Sequence, residues 1–166
     1  MLDFLQVFAV ILAAVAMAPA VAHLLEFPGK MRLGKDAYFA VQRIYYPGFT
    51  IAGISEPLAI AATAALLAFT PSQSSAFWLI VAALLGLAAM QSVYWVVTHK
   101  VNKQWLKDDH LGAAGERFFS VQSAKTAESG TEQWQALRNR WEYSHAVRAT
   151  LAFVSFIFLV ISTVSE

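Results

Sequence analysis

Four long apolar runs, separated by polar segments, dominate the pattern of hydrophobic positions along this chain of 166 residues. They cover about residues 4–25, 44–69, 77–97 and 146–164. Each run is long enough to cross a lipid bilayer as a helix, which takes about 20 apolar residues. The pattern therefore predicts an all-α fold, in which residues 1–166 form a single integral membrane domain built as a four-helix bundle.

The two long polar segments, at about residues 26–43 and 98–145, contain eleven of the twelve basic residues, and the exception, Arg148, lies inside the fourth run. Lys and Arg of membrane proteins concentrate on the cytoplasmic side. We therefore expect both segments to be cytoplasmic loops. Both termini are then periplasmic or extracellular, as in a protein of a bacterial inner (cytoplasmic) membrane.

The second polar segment is expected to be partly helical. Trp134, Leu137 and Trp141 recur at helical spacing, and the segment Ser129–Glu132 has the pattern of a capping box, in which both side chains satisfy amides at a helix start. The last helix is therefore predicted to begin near Gly130 and to continue from this helical loop into the membrane.

Composition agrees with a membrane location and narrows the chemistry. Hydrophobic residues make up 58% of the chain, more than a water-soluble domain of this size carries. The absence of cysteine excludes disulfides, thiolate metal sites and iron–sulfur clusters. The net charge of +1 does not indicate a nucleic-acid partner. No Lys or Arg precedes the first run, so we interpret it as a retained helix and not as a signal peptide.

Polar side chains collect where the apolar runs end. If the helices alternate in direction, the end of run one, the start of run two, the end of run three and the start of run four meet at the cytoplasmic level. Polar groups are costly at such depths, and their convergence indicates a functional site. The side chains concerned are His23, Glu26, Gln42, Tyr45, His99, Asn102, Trp141, Glu142, His145 and Arg148.

Two of these pairs, His23 with Glu26 and Glu142 with His145, have the i,i+3 spacing that places both members on one helix face. Imidazole and carboxylate ligate iron, zinc or manganese, and soluble four-helix bundles build two-metal sites from similar pairs. A first-row transition metal is therefore one candidate cofactor. Its candidate ligands are His23, Glu26, Glu56, His99, Glu142 and His145.

Other interpretations of the same residues remain open. Two histidines on different helices are also potential axial ligands of a haem, although the surrounding glutamates favour a metal ion. Without a cofactor, the i,i+3 pairs are hydrogen-bonded pairs at helix ends. Glu56 and Arg148 are then expected to form a buried ion pair between spans two and four, because burying either alone is expensive.

Several segments carry a resemblance to a known family. They are residues 22–33 (AHLLEFPGKMRL) and 41–45 (VQRIY), followed by His99-x-x-Asn102-x-x-Trp105 and Trp141-x-x-x-His145-x-x-Arg148. In these segments the chain resembles the anthrone oxygenase-like family of small four-helix membrane proteins, many of which have unknown function. Named members oxidise anthrones, which are electron-rich polycyclic phenols, to anthraquinones with oxygen and without a dedicated organic cofactor.

The resemblance implies an oxidoreductase that acts with oxygen on an apolar, phenolic or quinone-like substrate at the cytoplasmic leaflet. His145 is the best candidate for the base, because an imidazole titrates near neutrality. Glu142 is expected to orient His145, and Arg148 or Asn102 to stabilise the oxyanion. The residues expected to contact the substrate are Trp105, Trp141, Tyr45 and Gln42.

Two alternatives are not enzymes. The Ala-rich first helix is also typical of a docking surface, which favours an accessory subunit of a membrane complex or a homo-oligomer as the alternative. A transporter or proton relay that uses Glu56 ranks last, because no inverted repeat is visible and the polar groups stop on one side.

Overall fold

The computed structural model describes residues 2–45, 47–105 and 131–165, without the side chains of Trp105 and residues 131–133. This part of the chain is helical and contains no β-strand. A 3₁₀ turn, Arg43–Tyr45, precedes α3, and a π-helical turn, Tyr94–Thr98, joins α5 to α6. The helices are α1 (Leu2–Lys30), α2 (Lys35–Gln42), α3 (Gly48–Ala52), α4 (Ser55–Phe69), α5 (Ser75–Val93), α6 (His99–Trp105) and α7 (Thr131–Ser162).

Four helical segments are long and apolar enough to cross a membrane: Leu2–Lys30, Gly48–Phe69, Ser75–Gln104 and Trp134–Ser162. The prediction of an all-α membrane protein with four spans is confirmed. Many large apolar side chains on these segments face outward, among them Phe4, Trp78 and Leu85, which are 71%, 69% and 65% exposed. An apolar exterior of this kind suits a lipid environment and is unusual in a soluble protein.

The helices continue well beyond the apolar runs. Helix α1 extends to Lys30, although its run ends near residue 25, and α7 begins at Thr131, far before its run at residue 146. A helix satisfies its own backbone hydrogen bonds in lipid and in water alike, so hydropathy marks only the part suited to lipid. The predicted loops at 26–43 and 98–145 are thus largely helical where they are described. The predicted capping box lies outside the described side chains.

Small residues allow the helices to pack closely. Helix α7 packs against α1 and α5, and α4 packs against the same two helices. At Gly86 of α5, an added Cβ would overlap the hydroxyl oxygen of Ser155 on α7, so glycine permits this approach without displacing the Ser155 side chain. One core cluster is formed by Ala9, Ala13, Ala62, Leu66, Ala76, Ile80, Ala83 and Leu159.

Candidate functional site

One end of the bundle gathers polar side chains from most of the helices. The end of α1, the start of α7 and the α2–α3 segment meet there, and the π-helical turn and α6 contact α7. The predicted convergence of helix ends is therefore present. The polar residues buried at this end include His23, Lys30, Thr98, Asn102, Glu142, Ser144, His145 and Arg148.

Two histidines from different helices are in direct contact at the centre of this group. The ring centroids of His23 on α1 and His145 on α7 are 4.5 Å apart, and the two rings meet edge to face. Trp141 packs against His145 with a centroid distance of 3.8 Å and an angle of 37° between the ring planes. Tyr45 and Phe49 pack against His23 at 4.4 and 5.0 Å. Both imidazoles therefore lie in a largely aromatic environment.

The hydrogen bond of His145 assigns its tautomer. Its Nδ1 lies 3.0 Å from the backbone oxygen of Trp141. A carbonyl oxygen only accepts, so Nδ1 is the donor and carries the proton of the neutral ring. The lone pair is then on Nε2, which is the atom able to accept a proton from a substrate.

The sequence suggested that Glu142 orients His145. In the structure Glu142 instead bonds to two other residues. The hydroxyl of Tyr38 donates to Glu142 Oε1 at 2.7 Å, and Lys30 Nζ lies 3.0 Å from Glu142 Oε2. The partner of His145 Nδ1 is instead the backbone oxygen of Trp141, four residues earlier on the same helix. Glu142 thus holds α1 and α2 against α7.

Lys30 is a buried cation between two carboxylates. It is only 3% exposed, and besides Glu142 it lies 3.8 Å from Glu26 Oε2. The Tyr45 hydroxyl donates to the same Glu26 oxygen at 2.5 Å. Burial of a charge is tolerated when opposite charges and hydrogen bonds compensate it. Glu26, at 44% exposure, is the member of this group that reaches the protein surface.

The two tyrosine hydroxyls act as donors because their ionisation is suppressed. Burial raises the pKa of Tyr38, and the negative charge of Glu142 raises it further. Burial also raises the pKa of Tyr45, together with its hydrogen bond to Glu26. Both groups therefore remain neutral phenols next to their carboxylates, and each carboxylate keeps a fixed donor.

Asn102 connects α6 to the histidine cluster. Trp141 Nε1 donates to Asn102 Oδ1 at 2.8 Å, which holds the indole against His145. Nearby, the hydroxyls of Thr98 and Ser144 are 2.9 Å apart and link the π-helical turn to α7. The predicted role of Asn102 in oxyanion stabilisation stays a prediction, while its contact with Trp141 is a positioning role that the sequence did not indicate.

Arg148 lies one turn further along α7 than His145 and forms the ion pair expected from the sequence. Arg148 Nη2 donates to Glu56 Oε1 at 2.5 Å. With the amide of Gln91 oriented to donate, its nitrogen lies 2.7 Å from Glu56 Oε2 and its oxygen accepts from Trp95 Nε1 at 3.1 Å. The pair therefore joins α4, α5 and α7.

The six candidate metal ligands do not converge. Glu56 is engaged by Arg148, His99 packs against Trp95 with a ring-centroid distance of 5.0 Å, and Lys30 lies between the two other glutamates. Among the described residues, no three histidine or acidic side chains are arranged to hold a metal ion. The predicted ligand set is not formed, because each acidic member is compensated by a cation or a tyrosine.

The positions of His23 and His145 also disfavour a haem bound between these two histidines. The rings of His23 and His145 are in contact, so no space for a macrocycle lies between them. Of the residues expected to touch a substrate, Trp141 and Tyr45 belong to the cluster. Gln42 lies in the last turn of α2, and its Nε2 has no hydrogen-bond partner within the described residues. The side chain of Trp105 lies outside them.

Sequence reasoning missed Lys30 and Tyr38. Lys30 was interpreted only as part of the basic segment, although it follows His23 by seven residues and Glu26 by four, which is the spacing of one helix face. Tyr38 had no spacing signal at all, because α2 is a separate short helix and only the turn after α1 brings it to Glu142.

Comparison with known proteins gives one match. A family model described as anthrone oxygenase matches residues 42–158. No curated protein and no solved structure matches the chain. The matched range contains Tyr45, Glu56, Asn102 and the α7 side of the cluster. His23, Glu26, Lys30 and Tyr38, which form the α1–α2 side, precede the matched range.

Proposed function

Since this chain belongs to the anthrone oxygenase family, we propose that it is a membrane-embedded oxygenase that oxidises an apolar, electron-rich phenol at the polar end of its helix bundle. The family name supplies the reaction class. The arrangement of His145 between Trp141 and His23 supplies the residues that would carry it.

The proposed reaction converts the methylene group of an anthrone-like substrate into a carbonyl. One atom of molecular oxygen becomes the new carbonyl oxygen, and the other leaves as water with the two methylene hydrogens. Removal of a proton must come first, because the resulting anion is far more easily oxidised than the neutral substrate. A base in an apolar environment is therefore the principal requirement on the protein.

One observation carries this proposal. His145 is buried, its Nδ1 is held by the backbone oxygen of Trp141, and its Nε2 consequently keeps a lone pair. A base positioned in this way contributes about 100- to 10,000-fold to a rate. No step is assigned to a metal, because the acidic residues around His145 are already engaged by Lys30 and Tyr38.

The surroundings of the cluster suit a substrate that arrives through the bilayer. Leu25 and Ile44, at the same end of the bundle, are 76% and 74% exposed. Trp141 and Tyr45 offer ring faces for stacking, and Gln42 and Trp105 are further candidate contacts. From the distribution of basic residues we place this end at the cytoplasmic leaflet. Arg148 and Asn102 remain the candidate groups for stabilising the substrate oxyanion.

The experiment measures oxidation of anthrone by the purified protein in detergent, as anthraquinone formed and oxygen consumed above the rate without protein. We expect His145→Gln to lose at least about 100-fold in kcat, because an amide cannot act as a base near neutral pH. Tyr143→Phe is the matched control on α7, since Tyr143 faces outward and should leave kcat unchanged. Full activity of His145→Gln would contradict the proposal, and an inactive wild-type protein would favour the accessory-subunit alternative.

A further inference from the structure

We propose that His23 is a second catalytic histidine and that Lys30 is its positioning residue. In this proposal His23 Nε2–H donates a hydrogen bond to the substrate oxygen that becomes negative when His145 removes its proton. The inference rests on the proposed function. It concerns residues that precede the range matched by the family, so the match does not assign them.

The contact with Lys30 assigns the tautomer of His23. Lys30 Nζ lies 3.3 Å from His23 Nδ1. An ammonium group has only hydrogens to offer, so Nδ1 of His23 must be the acceptor. A proton on Nδ1 would face the ammonium directly. The neutral ring of His23 therefore carries its proton on Nε2, opposite to the assignment for His145.

Lys30 lies among groups that attract a positive charge. Glu142 and Glu26 lie 3.0 and 3.8 Å from its Nζ. The rings of Trp141 and Tyr45 lie at 5.1 and 5.4 Å, within the range of cation–π attraction. Carboxylates and the faces of aromatic rings both attract the charge of a lysine side chain.

The two imidazoles therefore present complementary atoms. His145 Nε2 is an acceptor and His23 Nε2 is a donor, on rings whose centroids are 4.5 Å apart. Each Nδ1 is engaged, by Lys30 in His23 and by the Trp141 carbonyl in His145, which leaves both Nε2 atoms to a ligand. Both side chains are more than nine-tenths buried. A ligand group that both donates and accepts a hydrogen bond would complete this pair.

A phenol hydroxyl, which anthrone carries in its enol form, matches this pair of atoms. Its O–H bond breaks as the proton moves to His145 Nε2, and the electron pair stays on the phenolate oxygen. That oxygen then accepts a hydrogen bond from His23 Nε2–H. The second histidine would thus stabilise the charge that the first one creates, and the pair would select substrates with a phenolic oxygen.

The first test is independent of activity. In protein labelled with ¹⁵N-histidine, we expect the His23 signals of an Nε2–H tautomer and the His145 signals of an Nδ1–H tautomer, each assigned by its Gln variant. Naphthol, a phenol that lacks the methylene group, should shift the Nε2 signals of both rings. An Nδ1–H tautomer at His23, or no response of its signals to naphthol, would overturn the inference.

The second test removes the positioning cation. Lys30→Met leaves the Glu142 carboxylate buried without its cation. The double variant Lys30→Met/Glu142→Gln removes both buried charges and is therefore expected to be the more stable protein. In either variant we expect His23 to lose its single tautomer and exchange between the two. If the tautomer of His23 stays unchanged, Lys30 has no positioning role.

The third test is kinetic. Loss of one donor to an oxyanion lowers kcat by about 100- to 1,000-fold, so we expect that loss in His23→Phe with little change in KM. His23→Gln retains an N–H donor and should recover part of kcat. Wild-type kcat in His23→Phe would refute the inference. An inactive wild-type protein would refute the proposed function instead, and the tautomer measurements would still decide the assignment of His23.

Discussion

At the scale of single residues, Lys30 has a position and surroundings that its place in the sequence did not suggest. It belongs to a basic segment of a kind expected to remain in water at a membrane surface. In the fold it is 3% exposed and lies between Glu26 and Glu142. The long side chain can extend from the end of α1 toward α7, where two carboxylates compensate its charge.

The tyrosines bonded to these carboxylates give a prediction about pH. Ordinary tyrosines ionise near pH 10, and the pKa values of Tyr38 and Tyr45 are raised above this by burial and by the neighbouring carboxylates. A raised folded-state pKa means that the stabilisation is complete below about pH 10. It is lost as the pH rises further, because the unfolded chain releases these protons first.

We therefore expect that, in a titration of tyrosine absorbance, Tyr38→Phe does not reduce the number of phenolates that the folded protein forms near pH 10. The protein unfolded in denaturant is the control, because there Tyr38→Phe should remove one phenolate. If the folded Tyr38→Phe protein forms one phenolate fewer, Tyr38 ionises normally, which would contradict the burial of its side chain.

At the scale of elements, α7 brings the site together. Trp141, His145 and Arg148 follow one another at spacings of four and three residues and so share one face of this helix. Trp141 contacts Asn102 of α6, His145 contacts His23 of α1, and Arg148 contacts Glu56 of α4. A single helical face thus connects to three other helices.

The ion pair between α4 and α7 yields a prediction about stability. Breaking a buried pair by neutralising one member costs about 3–5 kcal/mol, since the other charge remains buried without compensation. We expect Glu56→Leu to lower the stability of the folded protein by this amount. The double variant Glu56→Leu/Arg148→Met, with apolar side chains in place of both charges, should restore most of it.

The measurement is reversible unfolding in mixed micelles, followed by helical circular dichroism. Gln91→Leu is a useful comparison, because Gln91 bonds to Glu56 without being charged and its loss should cost less. If the double variant is as unstable as Glu56→Leu alone, the two charges do not act as a pair.

At the scale of the whole molecule, the distribution of charge predicts an orientation in the membrane. Arg32 lies in the α1–α2 connection and Lys35 is the first residue of α2, whereas the α4–α5 connection has no Lys or Arg. The positive-inside rule then places the polar site in the cytoplasmic half of the bilayer and both termini on the other side.

This orientation can be measured by cysteine labelling, because the chain has no cysteine of its own. We expect a membrane-impermeant maleimide to label Ser72→Cys in intact cells and to label Lys35→Cys only after the membrane is opened. Both positions are exposed in the fold, so a difference in labelling reports the membrane and not burial. The reverse pattern would invert the proposed topology.

The fold was largely predictable from sequence, whereas the site was predictable only in part. Hydropathy located the four spans, and the spacing of Trp134, Leu137 and Trp141 indicated the early start of α7. The convergence of His23, Glu142 and His145 followed from the alternating directions of the helices. The pairing of Glu56 with Arg148 was also expected, since buried charges need partners.

Helix periodicity and hydropathy are properties of a continuous stretch of sequence. The order of apolar and polar residues along the chain therefore specifies the four spans and the end of the bundle at which polar groups collect. Partners across helices depend on rotation and on distances of a few ångströms, which no linear pattern contains. Only the packed bundle could therefore show that Lys30 and Tyr38 compensate Glu142, that His99 packs against Trp95, and that the two central histidines carry opposite tautomers.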